Sequence, residues 1–200
     1  MLFRSFLLAL AVGAWLVWYG GWPILVLGLA SIVAGIAYTG GPRPIAYTAT
    51  GELFVFFFFG ISAVLGTYYL QTSAWTWGGG IVASMVGALA SAVIVVNNYR
   101  DLDHDRLAGK RTFAVRVGRF WSRVEFAALL AAPYVLLFGL GPFTHAGWWL
   151  ALPLGSVPLA LWIAARFMRE RPGPVFNRIL ADTAQLQLFF TCLLAVAFLA

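Results

Sequence analysis

Asp101, Asp103 and Asp105 place three carboxylates within five positions, in the stretch NNYRDLDHDRLAGKRT that covers residues 97–112. The run before it, GGGIVASMVGALASAVIVV, carries no charge. Asn97, Asp101 and Asp105 are spaced i, i+4, i+8, so on a helix they share one face, and Asp103 falls off it. A carboxylate at the centre of a bilayer costs ~2.5–3.5 kcal/mol on insertion scales. Three of them must therefore face water, a cavity or a cation. A divalent ion removes their mutual repulsion. A donor set made only of oxygen suits Mg²⁺, which takes one or two carboxylates together with substrate phosphates. Arg106, Lys110, Arg111 and Arg116 follow directly, and arginine pairs bidentately with phosphate oxygens. Acids, metal, phosphate and cations in that order are how a diphosphate is held and its leaving charge stabilised. The plainer reading is a solvated, mixed-charge connector between two helices.

The elements that must carry this ladder are apolar. Of 200 residues, 62% are hydrophobic and 10% charged, against ~25% charged in a soluble domain, and the mean hydropathy is +0.88. Such a surface belongs in lipid. Apolar runs long enough to span recur at 2–19, 22–38, 53–70, 80–96, 124–140, 146–165 and 179–199; about 20 residues at 1.5 Å each cross ~30 Å of hydrocarbon. Backbone groups in lipid must pair within their own segment, so these are helices, and period-two alternation of a β-barrel is absent. The expectation is an all-α polytopic transmembrane bundle of about seven spans, one domain over residues 1–200. GGWP, YTGGPRP, WTWGGG, GPFTHAGWW and RPGP punctuate it. The first run follows Arg4 but no small-residue cleavage site succeeds it, which makes it a membrane helix rather than a signal peptide.

Charge sets the orientation. All 13 basic residues fall in the N-terminus and in alternate connections: Arg4; Arg43; Arg100 to Arg123; Arg166 to Arg178. The intervening connections have none and carry Trp15, Trp18, Trp22, Trp75, Trp77, Trp148 and Trp149 at one set of ends. The positive-inside rule puts the basic side in the cytoplasm and the C-terminus outside, in a cell inner (plasma) membrane. The net charge of +6 is thus a topology signal, and no nucleic-acid partner is implied. Cys192 is the only cysteine, which excludes an intramolecular disulfide and a cysteine metal cluster.

Residues 97–118, NNYRDLDHDRLAGKRTFAVRVG, resemble the second aspartate-rich motif of the UbiA superfamily of intramembrane aromatic prenyltransferases. They are closest in form to the branch that prenylates 1,4-dihydroxy-2-naphthoate in menaquinone synthesis. YTGGPRP (38–44), GELFVFFFFG (51–60) and GTYYLQT (66–72) match that branch too. The resemblance implies a helical bundle with a cytoplasmic active site, Mg²⁺, a polyprenyl diphosphate donor and an aromatic acceptor. It implies that Asp101 and Asp105 bind Mg²⁺ with help from Asn97 or Asn98. Lys110, Arg111 and Arg106 would meet the diphosphate, and Tyr38 and Arg43 lie in a loop that approaches it. The implied reaction is ionisation of the allylic C–O bond, shielding of the cation by aromatic faces, and attack by the naphthoate ring with loss of CO₂, giving demethylmenaquinone.

The family pattern has about nine helices and a first motif resembling NDxxDxxxGxD after the second. Before residue 97 the only acid here is Glu52. The chain then corresponds to helices three to nine, and half of the diphosphate site would be missing. On that expectation the 200-residue chain by itself has little or no transferase activity, and the alternative to an enzyme is an inactive fragment or pseudoenzyme that keeps the membrane fold. Two readings stay open for Glu52, a site residue or an interfacial acid favoured by a helix N-terminus. Tyr38 and Arg43 are equally read as a helix stop with an anchoring tyrosine. Asp182, Gln185 and Gln187 either line the cavity or sit at the headgroups. His104 is read as solvent-facing; His145 and Cys192 have no partner in the pattern. CDP-alcohol phosphotransferases also carry aspartate ladders, but their DG…AR element is not placed here and Asn97 stands where they have Gly.

Overall fold

The computed structural model describes residues 2–42 and 44–200, with side chains from residue 7 onward. Arg43 lies outside the described residues, as does the side chain of Arg4. The described chain is helical, with no strand among the described residues. Six elements are long and apolar enough to cross a membrane, and the chain is a multi-pass membrane protein. They are α1 (Leu2–Thr39), α2 (Gly51–Thr72), α3 (Trp77–Leu107), α4 (Phe113–Leu140), α5 (Gly147–Arg169) and α6 (Val175–Leu199).

Seven apolar runs become six elements because α1 holds the first two. Its 38 residues would make a rod of about 57 Å, nearly twice the hydrocarbon thickness. Gly21 interrupts it at φ 69°, ψ −158°, and Pro23 follows. A left-handed glycine and a residue without N–H together break the hydrogen-bond ladder. Ala9 and Leu16 of one leg line the same groove as Leu25 and Ile32 of the other, so the legs fold back on one another, each near the length of a single span.

In α2 the segment Phe56–Ser62 winds as a π-helix, a wide turn found chiefly where a helix is bent to a purpose. It presses against α3. A Cβ placed on Gly60 would collide with Gly87 Cα, and one on Gly87 would stand 2.8 Å from the Phe56 carbonyl oxygen. Backbones in contact through small residues are the membrane mode of helix packing.

The 31 residues of α3 amount to about 46 Å, so its last turns rise beyond the apolar layer. Thr76 caps its start, accepting from Gly79 N at 3.1 Å. Gly109, at φ 74°, ends the run, and Lys110 N donates to Asp105 O at 3.0 Å. Arg111 N donates to Tyr47 O at 2.8 Å, which ties the connector after α3 to the segment before α2. Thr112 caps α4. The start of α4 reaches back to residue 113, eleven positions before the apolar run, with a break at Gly118.

α3 to α6 share one core. Tyr99 packs on Phe167 at 4.6 Å and on Phe176 at 5.3 Å, and Phe126 stacks on Phe167 at 4.0 Å between ring centroids. Met85, Leu89, Leu186 and Phe190 continue that core. α1 lies outside it with most of its side chains exposed, and α2 is the layer between.

Candidate functional site

Helical continuity of α3 produces one buried stripe. Gly87, Ser91, Ile94, Asn98, Asp101 and Asp105 follow the spacings of a single helix face. Gly87, Ser91, Asn98 and Asp105 are buried, and Ile94 and Asp101 are half-buried. Asn98, not Asn97, occupies the middle of that stripe; Asn97 stands at its edge.

At the outer end the acids meet cations. Arg100 grips Asp101 with both arms of its fork, Nε to Oδ1 at 2.7 Å and Nη2 to Oδ2 at 2.6 Å. The same guanidinium donates to Asn97 Oδ1 at 2.8 Å and to Asn177 Oδ1 of α6 at 2.6 Å. Asp105 has only 5% of its side chain exposed and takes Lys110 Nζ at 2.6 Å. That ammonium also lies 4.9 Å from the centre of the Tyr47 ring. The hydrogen bond to Asp105, opposed by partial burial, holds Lys110 above the ordinary lysine pKa. Asp103, outside the stripe, pairs with Arg119 at 2.6 Å. Arg119 and Arg123 hold Tyr99, through its carbonyl and its hydroxyl respectively.

One turn inward the pattern reverses. Glu52 of α2 is 6% exposed. Its main-chain oxygen accepts from Ser91 Oγ at 2.9 Å, and its Oε1 accepts from Asn98 Nδ2 at 2.7 Å. Its Oε2 is buried and has no hydrogen-bond partner among the described residues, and the same holds for Glu125 Oε2 of α4. The two carboxylates are close enough to act on one another electrostatically.

Near Glu52 opens an apolar groove of about 540 Å³, lined by Tyr38, Phe54, Phe58 and Ile94 among others. Ile94 is one turn below Asn98 on the same face of α3, so the groove lies directly inward of the oxygen-rich stripe.

A family model, the UbiA prenyltransferase family, matches residues 1–175. The chain belongs to the UbiA prenyltransferase family. It is 40% identical over 174 residues to a 1,4-dihydroxy-2-naphthoate octaprenyltransferase of Mycobacterium tuberculosis, covering 87% of this chain and 58% of that protein. It is 39% identical over 160 residues to the protein of that name from Mycobacterium leprae, covering 80% and 53%. The one from Bacillus subtilis is 32% identical over 198 residues, covering 98% and 63%. The chain thus spans between half and two thirds of the length of these curated relatives.

The donor chemistry of this UbiA chain fits a divalent cation. Every side-chain ligand on the stripe is an oxygen, the preference of Mg²⁺. Asn98 Oδ1 and the second oxygen of Asp105 accept no hydrogen bond among the described residues. At Asp101 a cation has to share with, or displace, the Arg100 fork.

The structure gathers Asn97, Asn98, Asp101, Asp105 and Lys110 at one end of the bundle, with Glu52 one turn inward. Tyr38 is half-buried in the groove, near Gly51. Arg106, in the last turn of α3, and Arg111, just beyond its end, are exposed. Asp182 is not part of this group: it pairs with Arg166 at 2.9 Å between α5 and α6, and Gln185 is exposed. His104 and Cys192 are exposed. Three residues at the site escape a reading of the motif alone. Ser91 lies seven positions before Asn98, the spacing of a shared helix face. Glu125 is an acid inside an apolar run, which in a membrane chain marks function by default. Asn177 is brought in only by tertiary packing and has no local signal.

Proposed function

We propose that this chain carries the site of a Mg²⁺-dependent polyprenyl transfer from a polyprenyl diphosphate to an aromatic acceptor of the 1,4-dihydroxy-2-naphthoate type, yielding a demethylmenaquinol, the reduced form of a demethylmenaquinone. The observation that supports it best is the order of groups along α3 and the connector that follows it. Oxygen ligands stand at Asn98, Asp101 and Asp105, cations at Lys110, Arg106 and Arg111 follow outward, and the apolar groove at Ile94 lies inward. A diphosphate with a long isoprenoid tail has that same order of charge and grease. The acceptor is taken from the relatives, which are named as 1,4-dihydroxy-2-naphthoate octaprenyltransferases.

In this reading Asp101, Asp105 and Asn98 or Asn97 hold Mg²⁺. The bound ion supplies positive charge for a diphosphate leaving group. Lys110, Arg106 and Arg111 neutralise the remaining phosphate oxygens. The allylic C–O bond breaks and its electron pair leaves with the diphosphate. Phe54, Phe58 and Tyr38 present aromatic faces to the allylic carbons. An electron-rich ring carbon of the acceptor forms the new C–C bond, and its carboxylate leaves as CO₂. The basic connections lie in the cytoplasm and the C-terminus outside the plasma membrane, by the distribution of arginine and lysine.

A second reading is a membrane fold without turnover, and the Arg100 fork on both oxygens of Asp101 favours it. The test uses the purified chain in detergent, with radiolabelled polyprenyl diphosphate, dihydroxynaphthoate and Mg²⁺. Labelled product that requires Mg²⁺ and disappears in Asp101→Ala and Asp105→Ala supports transfer. Mn²⁺ binding with no product leaves the second reading, and product that survives both substitutions sinks the first.

A further inference from the structure

Asn98 can be a cation ligand only through its Oδ1, because its Nδ2 carries two hydrogens and no available lone pair. A free carboxamide turns either end toward a cation, and half of those orientations are useless. The partner at its other end removes the choice. Glu52 Oε1 lies 2.7 Å from Asn98 Nδ2. An ionised carboxylate accepts and does not donate, so only the amide nitrogen can face it. With Glu52 ionised, that chemistry fixes which end of the amide faces it.

Glu52 is itself held. Ser91 Oγ binds its main-chain oxygen at 2.9 Å, and the contact of Gly60 with Gly87 seats the whole of α2 on the same face of α3. The side chain is nine-tenths buried and cannot swing out to water. The opposite end of the amide, Asn98 Oδ1, lies on the stripe with Asp101 and Asp105 and accepts no hydrogen bond among the described residues.

We propose that Glu52 is a positioning residue: it locks the Asn98 carboxamide with its oxygen toward the divalent-cation site at Asp101 and Asp105. This rests on the cation-site reading above. Partners that orient a metal ligand are typically worth 10–100-fold in metal affinity.

The experiment measures Mn²⁺ binding to the full chain in detergent micelles by electron paramagnetic resonance, without substrate. Two substitutions separate geometry from charge. Glu52→Gln removes the charge and leaves an acceptor oxygen in place. Glu52→Asp keeps the charge and withdraws the acceptor by about 1.5 Å, one C–C bond length. The positioning role predicts that Glu52→Gln binds Mn²⁺ within about threefold of the parent, while Glu52→Asp binds about 10-fold or more weakly. A purely electrostatic role predicts the reverse, and that outcome overturns the proposal. Ser91→Ala, which loosens Glu52 without freeing the amide, keeps the parent affinity if the proposal holds. A loss there equal to that of Glu52→Asp points to general loosening and overturns it. Should Glu52→Asp fail to fold, Glu52→Gln decides alone: a loss of 10-fold or more in folded protein sinks the idea. If the parent chain binds no Mn²⁺, the cation site falls first. If the parent binds, Asp105→Asn loses binding and Glu52→Asp does not, only the positioning role fails.

Discussion

The acids at the end of α3 and the acids one turn inward are treated in opposite ways. Asp101, Asp103 and Asp105 each meet a cation at 2.6 Å, and the partners are neighbours in the chain, one to sixteen residues away. Glu52 and Glu125 meet no cation among the described residues, and each keeps a buried oxygen without a partner. Glu52 reaches Asn98 across 46 positions. The outer set is assembled by structure close in sequence, α3, the connector after it and the first turns of α4. The inner set exists only when α2 and α4 are docked on α3. A cation or diphosphate arriving at the outer end exchanges one set of charges for another, whereas the inner pair must be balanced by the fold itself.

The contrast breaks most completely where α2 meets α3. Gly87→Val puts a branched side chain where a Cβ alone would stand 2.8 Å from the Phe56 carbonyl oxygen. Backbone cannot yield as a side chain does, so the expected loss lies at the upper end of the overpacking range, ~3 kcal/mol. Thermal unfolding in detergent measures it. The outer pairs join α3 to the connector and helix that follow it, do not involve α2, and survive the lost contact, while Glu52 leaves Asn98. A protein with Gly87→Val that unfolds like the parent would mean α2 is not seated on α3 as described.

A milder change probes the inner pair alone. Glu125→Gln replaces a carboxyl group, one of whose oxygens is buried without a partner among the described residues, with an uncharged amide. An unmet buried polar atom costs ~1–3 kcal/mol, so relieving part of that cost is expected to leave stability unchanged or raise it by ~1 kcal/mol. The same denaturation assay reads it. Destabilisation by more than ~1 kcal/mol would show that Glu125 has a stabilising partner after all.

How much of this contrast was legible in the residues follows from the same distinction. The ladder, its helical face and the cations beside it could be read because their spacing is local. The seven apolar runs could be read because the bilayer imposes a length. Joining of the first two runs into one broken element depends on Gly21 and Pro23, which punctuation marks as a break without saying whether the helix resumes at once. That Asn98 rather than Asn97 faces Glu52 was not legible, since both lie within the width of one polar face. Only the position of Glu52 decides it, and α2 is placed by a glycine contact 27 residues apart in sequence, which no periodicity encodes. Glu125 could have been noticed as a lone acid in an apolar run; its proximity to Glu52 could not.

Alkaline titration sharpens the outer half. Lys110 is held above its ordinary pKa of 10.5 by Asp105. A raised folded-state pKa contributes stability that is whole below the unfolded value and is lost as pH climbs through the folded one. Stability therefore declines above pH 10.5 on this account, and Lys110→Met, lacking the titrating group, shows a shallower decline there. With 28% of the lysine side chain exposed, solvent screening keeps the effect modest. Identical alkaline limbs for the two proteins would remove Lys110 from the account.

The smallest effect belongs to Asp103, and its smallness is the point. This acid stands among the other two in sequence and has an equally short ion pair, yet 72% of its side chain is exposed. Exposed pairs are worth ~0–1 kcal/mol. Its partner Arg119 also donates to the Tyr99 carbonyl at 3.3 Å and lies 5.1 Å from the centre of that ring, so the arginine stays in place without it. Asp103→Asn is expected to change unfolding by less than ~0.5 kcal/mol and to leave Mn²⁺ affinity unaltered. If it instead weakens Mn²⁺ binding as strongly as Asp105→Asn, then proximity in sequence rather than the buried face of α3 selects the ligands, and the division between outer and inner acids is drawn in the wrong place.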